Sequence, residues 1–397
     1  MISVAIIFDH FGPYHVARLQ AASAGCDLLA IEVTGRSAVY PWEKDSTAGT
    51  FRRVTLVEPA AGGGASRSEL VRHLERALEQ FKPGVVVIPG WASPAAWAAT
   101  HWCMRRRVPM VCMSESTEWD EPRRGGKEWI KKKLVGLFSS ALVGGKRHGD
   151  YLTQLGMPAE RIFLGYDAVD NRYFSDKAEE IRAHGDEVRR QYGLPSDYFL
   201  ASARFVEKKN LPRLLEAYAL YRTLGDAVPW SLVLLGDGAL RSALESQVAA
   251  LGLCDHVTMP GFRQYPDLPA YYAVAGAFIH PSTVEPWGLV VNEAMASGLP
   301  VLVSNRCGCA PELVSEGVNG FTFDPLNVKE IAQKMLQISA SGFPRTAFGE
   351  KSREIAAQWG PERFARGLSQ AIEAALAGPP APSTWVEHAL LWMLMHR

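Results

Sequence analysis

Ala277-Phe-Ile-His280-Pro-Ser-Thr-Val-Glu285-Pro-Trp-Gly288-Leu-Val-Val-Asn-Glu293-Ala-Met-Ala-Ser-Gly298-Leu-Pro-Val-Leu-Val303 reads as strand, loop, helix and strand in succession. A short apolar run ends at His280, a loop carries Glu285, a helix begins near Gly288 and stops at Gly298, and a second apolar run follows. A helix joining two buried strands is the repeating unit of a parallel sheet.

The same alternation extends in both directions. Tyr198–Ala203, Ser231–Leu235, Val257–Met259, Ala277–His280 and Pro300–Val303 make one series of strands. Ile2–Phe8, Leu28–Val33, Gly84–Pro89, Pro109–Met113 and Ala141–Val143 make another. Between them lies a polar stretch, Asp170 to Ser196, dense in Asp, Glu, Lys and Arg. An α/β protein of two doubly wound domains fits this pattern better than one eight-stranded barrel, whose series would run uninterrupted. The boundary is set at 169/170. Residues 361–377 read as a closing helix that returns toward the N-terminal domain, and 378–397 as a Pro-rich linker with an apolar tail.

At 397 residues the chain has room for two cores. Hydrophobic residues make 47% and charged ones 21%, the composition of a folded protein. Lys plus Arg is 42 and Asp plus Glu is 42, so net charge is zero. That removes the basic footprint of a dedicated nucleic-acid binder, and any anion site must be local. Ile2–Phe8 lacks a basic flank and ends at Asp9, so it reads as a first strand and not a signal peptide. The sequence holds no run of about 18 apolar residues, so no membrane-spanning helix is expected. The cysteines, at 26, 103, 112, 254, 307 and 309, lack zinc-ligand spacing and read as free thiols of a cytoplasmic protein.

Four short constellations carry chemistry. A helix start at Gly288, Leu289 and Val290 presents unpaired N–H groups and partial positive charge to a phosphate. Glu293 is read in its first turn, placed to accept from ribose hydroxyls, although acids near a helix start are ordinary. Arg204 and Lys209, five apart after a buried strand, suit the oxygens of a diphosphate, one as a fork and one as a point charge; the bland alternative is a solvated basic loop. Leu234-Leu-Gly236-Asp-Gly238 is a glycine turn that lets a nucleotide approach the backbone. Phe8-Asp-His10-Phe-Gly12-Pro-Tyr-His15 places one glycine where a first strand meets its helix, short of a dinucleotide fingerprint.

Together these pieces resemble the family-4 retaining glycosyltransferases of the GT-B fold, from Tyr198 to about Asp324. Glu285 and Glu293, seven residues between them, followed by Ala-Met-Ala-Ser-Gly-Leu-Pro-Val, carry the match. The resemblance implies two Rossmann-like doubly wound domains facing across an inter-domain cleft. Domain 1–169 then takes the acceptor and domain 170–360 the donor. It also implies roles: Glu285 at the donor sugar near the reacting centre, Glu293 on the ribose, and Gly288, Leu289 and Val290 at the diphosphate. Arg204 and Lys209 align with the basic pair on that diphosphate, Gly12 with the first-loop glycine that faces it, and Gly236 lies in the nucleotide-side turn. Many members place a histidine after the strand Val108–Met113, where this chain reads Met113-Ser114-Glu115-Ser116. Either Ser114 or Glu115 takes that sugar contact, or His10 or His15 reaches in from the first loop.

A departing nucleoside diphosphate needs cationic and dipolar stabilisation, which Arg204, Lys209 and the helix start supply without metal. The sequence also holds no Asp-x-Asp pair. The expected reaction is a retaining, metal-independent transfer from a UDP- or GDP-sugar co-substrate to a saccharide or lipid-linked acceptor, with no cofactor. An epimerase, a phosphorylase or a non-catalytic sugar-nucleotide-binding subunit are the alternatives. Nine basic residues between Arg105 and Lys133, with Trp129, Ile130 and Leu134, make a basic amphipathic segment. It fits an anionic surface on the inner face of a membrane, or simply a solvated helix with one core face. The tail 385–397 packs on the body, inserts interfacially or binds a partner.

Overall fold

The computed structural model describes residues 1–35, 50–58, 66–225, 228–379 and 384–396. Its strands are β1 (Ser3–Phe8), β2 (Asp27–Thr34), β3 (Arg52–Val57), β4 (Val85–Pro89), β5 (Met110–Ser114), β6 (Ser140–Val143) and β7 (Ile162–Leu164), then β8 (Tyr198–Ser202), β9 (Ser231–Leu235), β10 (Val257–Gly261), β11 (Ala277–His280), β12 (Val301–Ser304) and β13 (Gly320–Phe323). Between and after them run α1 (Pro13–Ser23), α2 (Arg67–Phe81), α3 (Pro94–Arg106), α4 (Gly125–Val135), α5 (Lys146–Gln154), α6 (Asn171–Arg182), α7 (Gly185–Tyr192) and α8 (Leu211–Tyr221). The series continues with α9 (Arg241–Ala250), α10 (Leu268–Ala273), α11 (Leu289–Ala296), α12 (Ala310–Leu313), α13 (Val328–Ser339), α14 (Arg345–Ala356), α15 (Pro361–Ala377) and α16 (Trp385–His396).

The chain divides into two compact units: Met1–Ala168 with Pro361–Arg397, and Val169–Gly360. Each is built on one parallel sheet, of order β3-β2-β1-β4-β5-β6-β7 in the first and β10-β9-β8-β11-β12-β13 in the second. In both, the strand order reverses once, between β1 and β4 and between β8 and β11. Such a reversal sends the two following loops apart and opens a crevice at the carboxyl ends of the strands, where ligands of doubly wound sheets bind.

All ten apolar runs of the sequence are strands. β3, β7 and β13 are additional, and each is a sheet edge. Arg52-Arg53-Val-Thr carries charge on a partly covered strand, and the three-residue Ile162–Leu164 and the glycine-led, four-residue Gly320–Phe323 are too short for a long apolar signature. The polar stretch 170–196 folds into α6 and α7, with Asp170 capping α6 by accepting from the Tyr173 amide at 3.0 Å.

α15 packs within the first unit: the Ser140 hydroxyl donates to Ala371 O at 2.6 Å, and Phe364, Leu368 and Ala371 join the core under β1 and β4. The tail packs there too. Leu390 and Leu391 of α16 enter the core beside α3, and Glu387 accepts from Lys133 Nζ at 3.1 Å. Trp385 and Trp392 stay 79% and 59% exposed, so only one face of the helix is used. Residues 380–383 of the proline-rich linker lie outside the described residues.

The basic segment is largely neutralised in place. Arg105, Arg106, Arg123, Lys127, Lys131 and Lys133 each pair with a carboxylate. Among the described residues Arg107, Arg124 and Lys132 are exposed without such a pair. Among the described residues no helix is long and apolar enough to cross a membrane, and all six cysteines are free thiols.

Candidate active site

The crevice of the second unit receives the loops after β8 and β11. The first loop tightens into a single turn, Glu207–Lys209, and the Thr283 amide of the second donates to Lys208 O at 2.9 Å, stitching the loops together. Lys209 Nζ therefore meets Glu285 Oε2 in a direct ion pair. The same oxygen lies 2.8 Å from His280 Nε2 and accepts from Ser282 Oγ at 3.1 Å. Burial pushes the Glu285 carboxyl up, but the Lys209 charge and the His280 hydrogen bond outweigh it and hold it well below the usual range. Burial also lowers the His280 imidazole against the opposing pull of Glu285, so the ring is neutral at pH 7 and donates through Nε2. Its Nδ1 is buried without a hydrogen-bond partner.

Glu285 is also held through its backbone. Its carbonyl accepts from the Gly308 amide at 2.9 Å, and the Trp287 carbonyl from the Cys309 amide at 3.2 Å. Gly288, the cap of α11, has φ +107, and a Cβ there would lie 3.4 Å from Glu285 Cγ and 3.6 Å from His280 Nε2. A side chain at 288 would thus be strained and would crowd the carboxylate. The Gly288, Leu289 and Val290 amides precede the first helical bond, Val291 N to Gly288 O at 2.9 Å, and carry the positive end of the helix dipole.

Glu293 departs from its expected place. Because α11 starts at Leu289, Glu293 falls in the second turn and not the first, and it is fully buried. Its Oε2 accepts from the Tyr272 hydroxyl at 2.7 Å. Burial and the Glu293 charge push the Tyr272 phenol well up, so it stays a proton donor, and Ser202 at the end of β8 hydrogen-bonds the same hydroxyl.

Arg204 belongs to the loop that abuts the glycine turn. Ala203 N donates to Leu235 O at 2.9 Å and Phe205 N to Asp237 O at 2.8 Å. Gly236 has φ +134, and a Cβ on it would lie 1.9 Å from Ala203 O, so only glycine fits. Gly236, Arg204, Lys209, Glu285 and Gly288 all lie on loops at the carboxyl ends of β8, β9 and β11. His280, Ser282 and Tyr272 complete the cluster and were not singled out from sequence. His280 ends an apolar strand, and Tyr272 sits in an apolar helix, so each reads as core.

The remaining candidates belong to the first unit. Gly12 caps α1 after β1, and its amide donates to His15 Nδ1 at 3.1 Å. The His15 ring packs on Phe8 and lies 5.7 Å from that of His10. Burial pushes the His15 imidazole well down and that of His10 down. Ser114 ends β5, its hydroxyl accepting from Ser116 N at 3.1 Å, and Glu115 follows. Among the described residues no three His, Cys, Asp or Glu side chains gather as a metal-ligand group.

Residues 186–355 match the family model described as glycosyl transferases group 1. An alpha-D-kanosaminyltransferase of Streptomyces kanamyceticus is 29% identical over 208 residues, 52% of this chain and 52% of that protein. A GDP-mannose-dependent alpha-(1-6)-phosphatidylinositol monomannoside mannosyltransferase of Mycobacterium tuberculosis is 30% identical over 192 residues, 46% of this chain and 49% of its own. The chain thus spans about half the length of the curated relatives it matches. In fold, Anabaena HepE, solved with UDP and glucose, has a TM-score of 0.73 at 19% identity, covering 94% of this chain and 100% of its own. Sucrose-phosphate synthase from Thermosynechococcus elongatus has 0.74 at 20%, covering 95% and 100%. The fold is GT-B.

Proposed function

We propose that this chain, whose residues 186–355 carry the glycosyl transferases group 1 match, moves a sugar from a nucleoside diphosphate sugar to an acceptor hydroxyl. The carrying observation is the cluster of Glu285, Lys209 and His280 beside the α11 amides, all in the crevice where the second sheet reverses its order. Arg204, Lys209 and the amides of Gly288, Leu289 and Val290 meet the diphosphate and stabilise the charge that develops as it leaves. Gly236 keeps the floor of the site open to the nucleotide. Glu285, ionised at working pH, faces the positive charge growing at the sugar ring and is an electrostatic residue, not a proton donor. Glu293 serves the ribose end, its enclosed carboxylate released to the ribose hydroxyls when Tyr272 yields.

The reaction retains anomeric configuration by same-face attack within an ion pair, and the cations make a metal on the diphosphate dispensable. Gly12 serves the donor diphosphate, and His10, His15, Ser114 and Glu115 serve the sugar and acceptor side. The acceptor is a saccharide, in the lipid-linked form a product of surface-polysaccharide assembly at the cytoplasmic face of a membrane. The unpaired Arg107, Arg124 and Lys132 supply about 1 kcal/mol each at an anionic surface, a reversible attachment that salt weakens.

The test is turnover of UDP- and GDP-sugars with lipid-linked and free saccharide acceptors, the product anomer read by NMR. Acceptor-dependent transfer with retention is expected. Donor turnover without acceptor, leaving an epimerised sugar nucleotide, would replace this reading with epimerase chemistry.

A further inference from the structure

At the opposite end of the second sheet from Glu285, a cavity of about 350 Å³ opens beneath the first residues of β8, β11 and β12. Four arginines line it, Arg182 from α6, Arg189 from α7, and Arg345 and Arg353 from α14, against one carboxylate, Asp197. Arg182 Nη2 donates to Ser297 O, and Arg353 approaches the adjoining Gly298. A Cβ on Gly298 would lie 2.7 Å from Arg353 Nη1 and 3.6 Å from Arg182 Nη2, so the two heads converge over one glycine. Arg345 is held over the Trp230 ring at 4.9 Å. Arg189 bonds Asp186 at 3.1 Å and the Val274 carbonyl at 3.4 Å, while its Nε is buried with no hydrogen-bond partner. Among the described residues no carboxylate lies within ion-pair distance of Arg182, Arg345 or Arg353.

Like charges gathered in a concave site repel, and in a structural role each guanidinium would be expected to hold a carboxylate. Here the one lining carboxylate, Asp197, pairs with none of them. α14 adds to the same field: its first turn, with Arg345 and Thr346 on the cavity wall, has no side-chain cap and no acidic residue. Planar forks and helix amides both match phosphate oxygens.

We propose that this pocket is a second anion site, separate from the Lys209–Glu285 cluster, that takes a small free phosphate ester or diphosphate. Its volume, at the low end for small-molecule sites, suits a compact ligand and not a whole nucleotide sugar.

Calorimetric titration of the full chain with inorganic diphosphate tests it, using wild type, the double variant Arg345→Gln with Arg353→Gln, and the double variant Arg204→Gln with Lys209→Gln. The pocket reading expects binding to weaken at least tenfold in the first variant and to persist in the second. Loss in the second alone, or equal binding in wild type and the first, overturns it, as does no binding at all. Should the pocket variant fold poorly, phenylglyoxal labelling of wild type followed by mass spectrometry decides. Diphosphate should protect Arg345 and Arg353 from modification, and unchanged labelling of both overturns the site.

Discussion

A single carboxylate oxygen at Glu285 gathers an ammonium, an imidazole N–H and a hydroxyl. Replacing the charge while keeping the shape, Glu285→Gln, should lower kcat by about two orders of magnitude and leave nucleoside diphosphate affinity within a few-fold. Glu293→Gln should do the reverse, weakening nucleotide binding by about 1.5–3 kcal/mol, with Tyr272→Phe showing whether the phenol gates that contact. Kinetic constants and calorimetry separate the two. pH adds a third check. A carboxyl held below its ordinary value contributes stability above about pH 4.5 and loses it only as pH falls through the lowered value, so Glu285 stays ionised through the working range. His280 has the opposite exposure to acid: its imidazole sits below 6.5 when folded, so the unfolded chain takes the proton first and stability falls as pH drops below 6.5. Urea unfolding between pH 7 and 5 should therefore steepen in wild type relative to His280→Asn; equal slopes would mean the ring is not held neutral.

Loops after β8 and β11 meet because their strands are neighbours in the sheet and the Thr283 amide donates to Lys208 O, and the glycine turn after β9 keeps the Arg204 loop in place. Gly236→Ala puts a methyl against Ala203 O at a left-handed backbone position, and should destabilise the second unit by several kcal/mol. In the first unit, Leu391→Ala should cost about 2–5 kcal/mol, since the side chain is fully buried beside α3, whereas the exposed Trp392→Ala should stay below about 1 kcal/mol. Denaturant midpoints measure both. These elements also explain what a reader of the sequence can see. Central strands announce themselves as apolar runs because both faces are covered, whereas β3 is broken by two arginines and β7 and β13 are too short to stand out. Glu285, Lys209 and Arg204 stand out because charge follows directly on a buried strand. His280 and Tyr272 are hidden because an apolar neighbourhood disguises a polar partner. Glu293 was displaced by one turn because only the backbone at Gly288 fixes where α11 begins. The α16 tail packs on the first unit through Leu390 and Leu391 and leaves Trp385 and Trp392 exposed, an arrangement that its apolar composition alone does not specify.

Across the whole molecule, zero net charge conceals local concentrations of cation: Arg204 and Lys209 at one end of the second sheet, four arginines at the other. If side chains and helix amides alone neutralise the departing diphosphate, dialysis against EDTA should leave turnover unchanged. Activity lost on chelation and restored by Mg²⁺ would contradict that. Every role proposed for this chain in sugar transfer depends on the crevice of the second unit being a nucleoside diphosphate site. The direct measurement is thermal unfolding of wild type, the Arg204→Gln with Lys209→Gln double variant, and Glu293→Gln in UDP, GDP, ADP and dTDP. A ligand at a hundredfold its Kd stabilises by about 2.7 kcal/mol. One nucleotide should raise the wild-type Tm by several degrees and raise neither variant comparably. No nucleotide stabilising the wild type, or the same rise in all three proteins, would contradict the account.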